Sequence, residues 1–156
     1  MTTKVKFNIK HIFRILFITI TAVVLSSCSA YKVNMESTSN INRNINGIPS
    51  STAVYIYQLT NTYNFKNASY ADLANSKNNL DGTILMRTQV ILLPGQSKTI
   101  YIDSESGAKY IGVVTGYREL DQVKWREVYP ISDHFYDGLY RKSFTVNLTA
   151  TGVSLE

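Results

Sequence analysis

Residues 53–59 read AVYIYQL, a run rich in β-branched and aromatic side chains. Such side chains favour the extended backbone of a β-strand. Because apolar and polar residues do not alternate along the run, both faces of the strand should be covered by other parts of the molecule. The stretch predicts a well-covered strand in the first half of the chain.

The residues before this run predict another strand and a loop. Residues 33–37, VNMES, alternate apolar and polar side chains as a half-buried strand does, and Ile41 continues the same face. Residues 42–52, NRNINGIPSST, combine Asn, Gly, Pro and Ser with two isolated isoleucines, which predicts a loop. This loop is long for a hairpin connection.

The residues after the run predict a short helix. Asn67 can cap it, and Tyr70, Leu73 and Ala74 follow at a spacing of three to four residues, so the helix is expected within residues 67–77. Residues 80–86 predict either a further helical turn or the start of a strand.

A turn signal divides the next apolar segment. Residues 89–93, QVILL, run into Pro94 and Gly95, where proline presets the first dihedral of a turn and glycine accepts a positive φ. The chain should therefore reverse into residues 98–102, KTIYI, and form a β-hairpin.

The last third of the chain predicts further strands. Residues 110–117, YIGVVTGY, predict a central strand whose glycines permit close packing or a bulge. Residues 124–131 and 142–148 predict two more, and Val153 and Leu155 could close a sheet edge. About seven strands, frequent turn signals and one helical insertion predict an all-β domain, an antiparallel two-sheet β-sandwich.

The N-terminus has the pattern of a lipoprotein signal. A cationic start is followed by an apolar run over residues 15–25, too short to span a bilayer, and then by LSSC at residues 25–28, which is a lipobox. We expect residues 1–27 to be a cleaved signal peptide, residues 28–32 to be the lipidated cysteine and a short tether, and residues 33–156 to be the sandwich domain. Ser29, where an Asp would retain the product, favours transfer to the outer membrane.

Cys28 is the only cysteine of the chain, so it has no disulfide partner. Two or more acyl chains on this residue would anchor the protein stably, whereas one would anchor it marginally. The alternative is an ordinary secretory leader that happens to end near a cysteine.

The basic character of the chain belongs to the leader. Four of the 16 Lys and Arg lie there, which leaves 12 against 11 Asp and Glu in the mature protein, a net charge of +1. No basic field of the kind that attracts nucleic acid is expected.

Catalytic signals are weak. His134 beside Asp133 is the only histidine outside the leader, and no second histidine or thiolate accompanies it for a metal cluster. Residues 103–107, DSESG, lack the spacing of a calcium loop and predict a turn. We therefore predict a protein without enzymatic activity, metal or cofactor; a hydrolase using His134 remains a testable alternative.

Residues 110–128, YIGVVTGYRELDQVKWREV, resemble the signature of the TssJ (SciN-type) lipoproteins of type VI secretion systems. In that family a strand ending in a VVAxFRD-like sequence precedes a Trp-Arg pair. The lipobox, the strand at residues 53–59 and the turn at Pro94 and Gly95 agree with it in order. The matching residues are Gly112, Val113, Val114, Tyr117, Arg118, Leu120, Trp125 and Arg126.

The resemblance implies a transthyretin-like β-sandwich anchored by lipid in the inner leaflet of the outer membrane and facing the periplasm. It also implies binding to the periplasmic domain of TssM, which joins TssL in a trans-envelope complex. The family's first interstrand loop, used for TssM binding, corresponds by position to residues 42–52. The partner-binding residues expected here are Asn44, Ile45, Asn46, Gly47, Ile48 and Pro49.

Two features of this reading stay open at the level of sequence. Ile45 and Ile48 could project as apolar anchors or tuck under the loop. Tyr117, Arg118, Trp125 and Arg126 are expected to be structural: Trp125 is suited to plugging one end of the sandwich, and the arginines could pair with Glu119, Asp121 or Glu127.

The alternative function is a periplasm-facing lipoprotein that binds a small ligand or glycan in an aromatic-lined pocket.

Overall fold

The computed structural model describes residues 30–75, 79–131 and 142–156. These residues form eight strands, two short α-helices and a 3-10 turn. In chain order they are β1 (Ala30–Ser37), β2 (Thr52–Leu59), α1 (Tyr63–Asn67), α2 (Tyr70–Ala74), β3 (Ile84–Leu92), β4 (Ser97–Asp103), β5 (Tyr110–Thr115), the 3-10 turn (Leu120–Gln122), β6 (Arg126–Pro130), β7 (Ser143–Thr149) and β8 (Gly152–Leu155).

The strands make two four-stranded sheets with the orders β4-β1-β7-β8 and β3-β2-β5-β6. The predicted two-sheet β-sandwich is confirmed. One neighbouring pair, β1 and β7, runs parallel, with Val33 beside Phe144 and Met35 beside Val146; the other pairs in both sheets are antiparallel. A parallel pair needs a long connection between its strands, and five strands, β2 to β6, lie between β1 and β7 along the chain.

Strand β2 contributes to two apolar clusters because successive side chains of a strand point to opposite faces. Val54 and Ile56 lie in the core between the sheets, whereas Tyr55, Tyr57 and Leu59 lie on the outer face of the second sheet. This confirms that both faces of the strand are covered.

The core between the sheets also takes the alternate residues of β1, as predicted, with Val33 and Met35 fully buried. Ile41 is fully buried in the same core, although it lies beyond the end of β1. Strand β1 begins at Ala30, so residues 30–32, predicted as tether, already belong to the sheet.

The two helices cover the outer face of the second sheet, with Phe65 and Leu73 fully buried against it. The predicted start of a helix at Asn67 is wrong. Asn67 ends α1, and its side chain donates to the Tyr63 carbonyl at 2.9 Å. Ser69 is the N-cap of α2: its hydroxyl accepts from the Asp72 amide, and the Asp72 carboxylate accepts from the Ser69 amide, which makes a capping box. The predicted end of the helix reaches residues 76 and 77, which lie outside the described residues.

The predicted hairpin across Pro94 and Gly95 is also wrong. The chain does turn there, with a φ of 72° at Gly95 and a hydrogen bond from the Gln96 amide to the Leu93 carbonyl. However, β3 pairs with β2 and β4 pairs with β1, so the turn passes from one sheet to the other. The reason is burial: Leu92 and Ile102 both face the core from opposite sheets, which a flat hairpin would not allow.

The remaining strand predictions agree with the structure. Leu80 and Asp81 have positive φ values in a turn, and β3 starts at Ile84, so residues 80–86 lead into a strand rather than a helix. Strand β8 forms an edge of the first sheet beside β7. Residues 105–108 form the predicted turn, with the Ala108 amide donating to the Glu105 carbonyl.

Candidate protein-docking site

The first interstrand loop lies at the end of the sandwich opposite Ala30, which we call the distal end. Strand β1 starts at Ala30 and spans eight residues, about 26 Å at the usual rise of a strand. The strand order brings four connections to the distal end: residues 38–51, 93–96, 116–125 and 150–151. The N-terminal side of β1, which follows Cys28 and Ser29, lies at the other end.

The tip of the first loop is a turn closed by Asn44. The Asn44 amide donates to the Ile48 carbonyl at 3.0 Å, and the Gly47 amide donates to the Asn44 carbonyl at 2.8 Å. The Asn44 side-chain oxygen accepts from the amides of Asn46 and Ile48 at 3.0 and 2.9 Å. Gly47 has a φ of 75°, which glycine tolerates without strain. The tip is therefore held in one conformation by its own hydrogen bonds.

This turn presents two isoleucines to solvent. Ile45 is 95% exposed and Ile48 is 58% exposed. The structure therefore decides between the two alternatives left open by the sequence: both side chains project outward. Asn46, Gly47 and Pro49 are exposed beside them.

Asn42 ties the base of the loop to the connection between β5 and β6. It is buried and has a φ of 47°. Its amide nitrogen donates to the Ser51 carbonyl at 2.6 Å, and its oxygen accepts from the Arg118 amide at 2.8 Å. Sequence reasoning placed Asn42 in the loop but missed this role, for which a buried polar residue inside a loop has no local signal.

A groove of about 560 Å³ lies between the first loop and its two neighbours. Within the described part of the chain, neither Arg43 nor Arg118 forms an ion pair, and the salt bridge there joins Lys124 to Glu127. The groove thus carries two exposed guanidinium groups and one carboxylate, Glu119. Its lining consists of Asn42, Arg43, Asn44, Ile45, Tyr117, Arg118, Glu119, Gln122, Val123, Ala150 and Thr151.

Tyr117 is the buried aromatic residue in the lining of this groove. It is 5% exposed, and its hydroxyl donates to the Thr149 carbonyl at 2.9 Å. Burial raises the pKa of Tyr117 to about 12, against a smaller opposing effect of that hydrogen bond. Because Tyr117 is the one aromatic residue in the lining, the groove lacks the aromatic walls expected for a glycan or small-ligand pocket.

Trp125 and Arg126 lie away from the groove, on the outer face of the second sheet. Trp125 does not plug an end of the sandwich as predicted; its ring packs edge-to-face on Tyr70 with centroids 5.8 Å apart. Arg126 lies 4.5 Å above the Trp125 ring and donates to the carbonyls of Phe65 and Ala68 at 2.7 and 2.9 Å. Burial lowers the pKa of Arg126.

The predicted pairing of Arg118 and Arg126 with neighbouring acids is therefore wrong. The Arg126 guanidinium donates to carbonyls at the end of α1, because the last carbonyls of a helix have no intrahelical partners. A second arginine, which sequence reasoning missed, does the same for α2: Arg87 donates to the Ala74 carbonyl at 2.8 Å and lies 4.4 Å above the Tyr55 ring.

Gly112 allows α1 to sit close to the sheet. A Cβ atom on this residue would lie 2.7 Å from the Phe65 ring, so only glycine fits under the helix. This confirms the predicted use of a glycine for close packing.

Several predicted residues lie outside the described part of the chain: Cys28, Asp133 and His134. Among the described residues there is no group of three or more metal-ligating side chains. No helix within those residues is long and apolar enough to cross a membrane.

Residues 29–151 match the family described as type VI secretion lipoprotein, VasD, EvfM, TssJ. The chain belongs to this family. The resemblance to this family that the sequence predicted is confirmed. No curated protein sequence matches the chain significantly.

Solved structures share the fold. Serratia marcescens Lip, a membrane-bound component of the type VI secretion system, is 24% identical with a TM-score of 0.74, over 83% of this chain and 96% of that chain. A chain of a type VI membrane complex is 26% identical with a TM-score of 0.69, over 83% and 99%. A chain in a structure described as the TssM C-terminal domain from EAEC is 23% identical with a TM-score of 0.63, over 81% and 97%.

Proposed function

We propose that this protein is the outer-membrane-anchored lipoprotein subunit of a type VI secretion membrane complex. It binds the periplasmic domain of TssM through its first interstrand loop and so links TssM, and TssL with it, to the outer membrane. It acts by binding and has no catalytic role. Family membership supports the assignment to the secretion system. The turn at residues 44–48, which exposes two isoleucines and is ordered by its own hydrogen bonds, supports the proposed binding surface.

The exposed turn is the observation that carries the proposal. An exposed aliphatic side chain has no polar group to desolvate, and burying it in an interface can contribute about 1.5–3 kcal/mol to the free energy of binding. Because the Asn44 hydrogen bonds already order the turn, binding loses little further backbone freedom. Ile45, at 95% exposure, is the natural central anchor.

The placement of the two ends supports an adaptor. Only Ser29 separates Cys28 from the first residue of β1. Acyl chains on Cys28 would hold the Ala30 end of the sandwich at the inner leaflet and leave the distal end pointing into the periplasm. The likeness to chains in structures described as a type VI membrane complex and a TssM C-terminal domain agrees with such a partner.

Binding of the full-length protein in detergent to the purified periplasmic domain of its cognate TssM tests the proposed role. We expect saturable binding that Ile45→Asp weakens by at least about 10-fold, because a buried unpaired carboxylate is costly. Tyr63→Asp is the matched control, since Tyr63 is 75% exposed and lies at the start of α1. Equal loss in both variants would point to misfolding, and no binding by the wild type would overturn the role.

Fractionation of cells tests the anchor separately. Cys28→Ser should move the protein from the outer membrane to the soluble periplasm, because no acylated residue remains. The experiment is done in a strain lacking TssM, so that the partner cannot retain the variant. Outer-membrane recovery of Cys28→Ser protein in that strain would contradict lipid anchoring.

A further inference from the structure

The groove beside the isoleucine turn has an electrostatic character that the proposed function does not explain. Arg43 and Arg118 both line it, both are exposed, and within the described residues neither has an ion-pair partner. Glu119 lines the groove as well and partly offsets them. The surplus is one positive charge in a concave surface, where a charge acts more strongly than on a convex one.

The backbone positions of the two arginines are linked through the Asn42 side chain. The Arg118 amide donates to the side-chain oxygen of Asn42, and Arg43 follows Asn42 directly. Their Cα atoms therefore keep a fixed relation, although the side chains end in solvent. Guanidinium groups bind carboxylates through two parallel hydrogen bonds, and such pairs are stronger than neutral hydrogen bonds.

The rest of the lining adds an apolar wall. Ile45, Val123 and Ala150 face the same groove. A ligand that fits both features has a carboxylate beside an apolar side chain. Ile45 is 95% exposed, so a small ligand inside the groove would leave most of that side chain uncovered.

We propose that the groove receives a segment of the protein partner in which an Asp or Glu lies next to an apolar residue, with Arg43 and Arg118 binding the carboxylate. This inference rests on the proposed function, because the occupant is the same partner that covers Ile45. It extends the docking surface from the first loop to the β5–β6 connection.

Charge variants of the full-length protein test the groove without changing its frame, because the bond between the residue 118 amide and Asn42 uses only backbone of that residue. With the TssM periplasmic domain as the probe, we expect Arg118→Gln and Arg43→Gln each to weaken binding about 10-fold. Arg118→Lys should recover only part of the loss, since a lysine lacks the planar fork. Glu119→Gln should tighten binding.

Salt dependence gives a second readout. Raising NaCl from about 50 mM to about 500 mM should weaken wild-type binding more than binding by the Arg43→Gln, Arg118→Gln double variant. Wild-type affinity and salt dependence in the arginine variants would overturn the groove inference. If Ile45→Asp still abolished binding in that case, the proposed function would stand without it.

A free small acid is the competing occupant. Succinate titrated into the full-length protein should bind no better to the wild type than to the double arginine variant. Saturable succinate binding that the double variant loses would assign the groove to a small carboxylate and overturn the protein segment as its occupant.

Discussion

At the scale of single residues, the distal end is built from buried polar groups as much as from exposed apolar ones. Asn42 is 6% exposed, and its amide satisfies the Ser51 carbonyl and the Arg118 amide. Asn also adopts the left-handed backbone more readily than most residues, which fits its φ of 47°. One side chain thus sets the positions of two loops that are far apart in sequence.

Replacing Asn42 tests this arrangement. We expect Asn42→Ala to lower the free energy of unfolding by about 1–3 kcal/mol, because two backbone groups lose their partner and alanine resists a positive φ. Asn42→Gly should cost less, since glycine removes the backbone strain and keeps only the hydrogen-bond loss. Urea unfolding measures both variants, and equal stability of Asn42→Ala and wild type would contradict the role.

Tyr117 makes a prediction about alkaline pH. Its pKa is raised from 10.0 to about 12 by burial, so between about pH 10 and pH 12 the unfolded chain releases a proton that the folded protein retains. Stability from this group is complete below pH 10 and is lost as pH rises through that range. Tyr117→Phe should therefore unfold with a shallower pH dependence than wild type between pH 10 and pH 12.

Tyr70 gives a second test of the same effect. Its pKa is also raised to about 12, chiefly by burial, so Tyr70→Phe should flatten the same range of the pH profile. Both variants should leave the profile near neutral pH unchanged. A Tyr117→Phe profile parallel to wild type above pH 10 would show that the hydroxyl ionises equally in both states.

At the scale of elements, α1 and α2 are too short to be stable alone, since isolated helices of five residues do not form in water. They are held by burial of Phe65 and Leu73 and by two arginines at their C-terminal carbonyls. The Trp-Arg pair of the family signature is therefore a device for attaching helices to a sheet. It acts on the fold and does not face the distal groove.

Replacing Arg126 should loosen α1 and expose the tryptophan. We expect Arg126→Met to destabilise the protein by about 1–3 kcal/mol, because the carbonyls of Phe65 and Ala68 lose a charged donor. Trp125 is the only tryptophan in the chain, so its fluorescence reports this site alone, and the emission should shift to the red. Arg126→Lys is the control and should cost less. An unchanged spectrum in Arg126→Met would contradict the stacking.

At the scale of the whole molecule, the proposed function makes the sandwich a spacer between a membrane end, near Ala30, and the distal end, where the partner would dock. Strand β1 runs between them, and the link before it is a single residue. If Cys28 carries the lipid, the distance from the bilayer to the isoleucine turn is set by the strand length, about 26 Å, and varies little.

Energy transfer to a membrane dye measures this distance. Acylation of Cys28 would leave an introduced cysteine as the one labelled thiol, either Asn46→Cys at the distal end or Lys109→Cys at the other. In proteoliposomes, transfer should be strong from residue 109 and weak from residue 46. Inserting about ten Gly and Ser residues after Ser29 should reduce the difference, because a flexible link lets the domain tumble. Equal transfer from both labels in the uninserted protein would contradict a fixed orientation.

Much of this protein was predictable from sequence because its signals are local. Residue pattern decides whether a strand is covered on one face or on two, which is why 53–59 and 33–37 were identified correctly. The irregular composition of 42–52 likewise identified the loop, and the family signature at residues 110–128 identified the class of lipoprotein.

Tertiary structure alone decided which strands and side chains meet. Proline and glycine at residues 94 and 95 dictate a reversal, but only the shared core determines that β3 and β4 join different sheets. Arg126 could have met a carboxylate or a carbonyl, and the position of α1 made that choice. The exposure of Ile45 and the bond between Asn42 and Arg118 depend on residues distant in sequence, because burial and long-range hydrogen bonds exist only once the two sheets have packed.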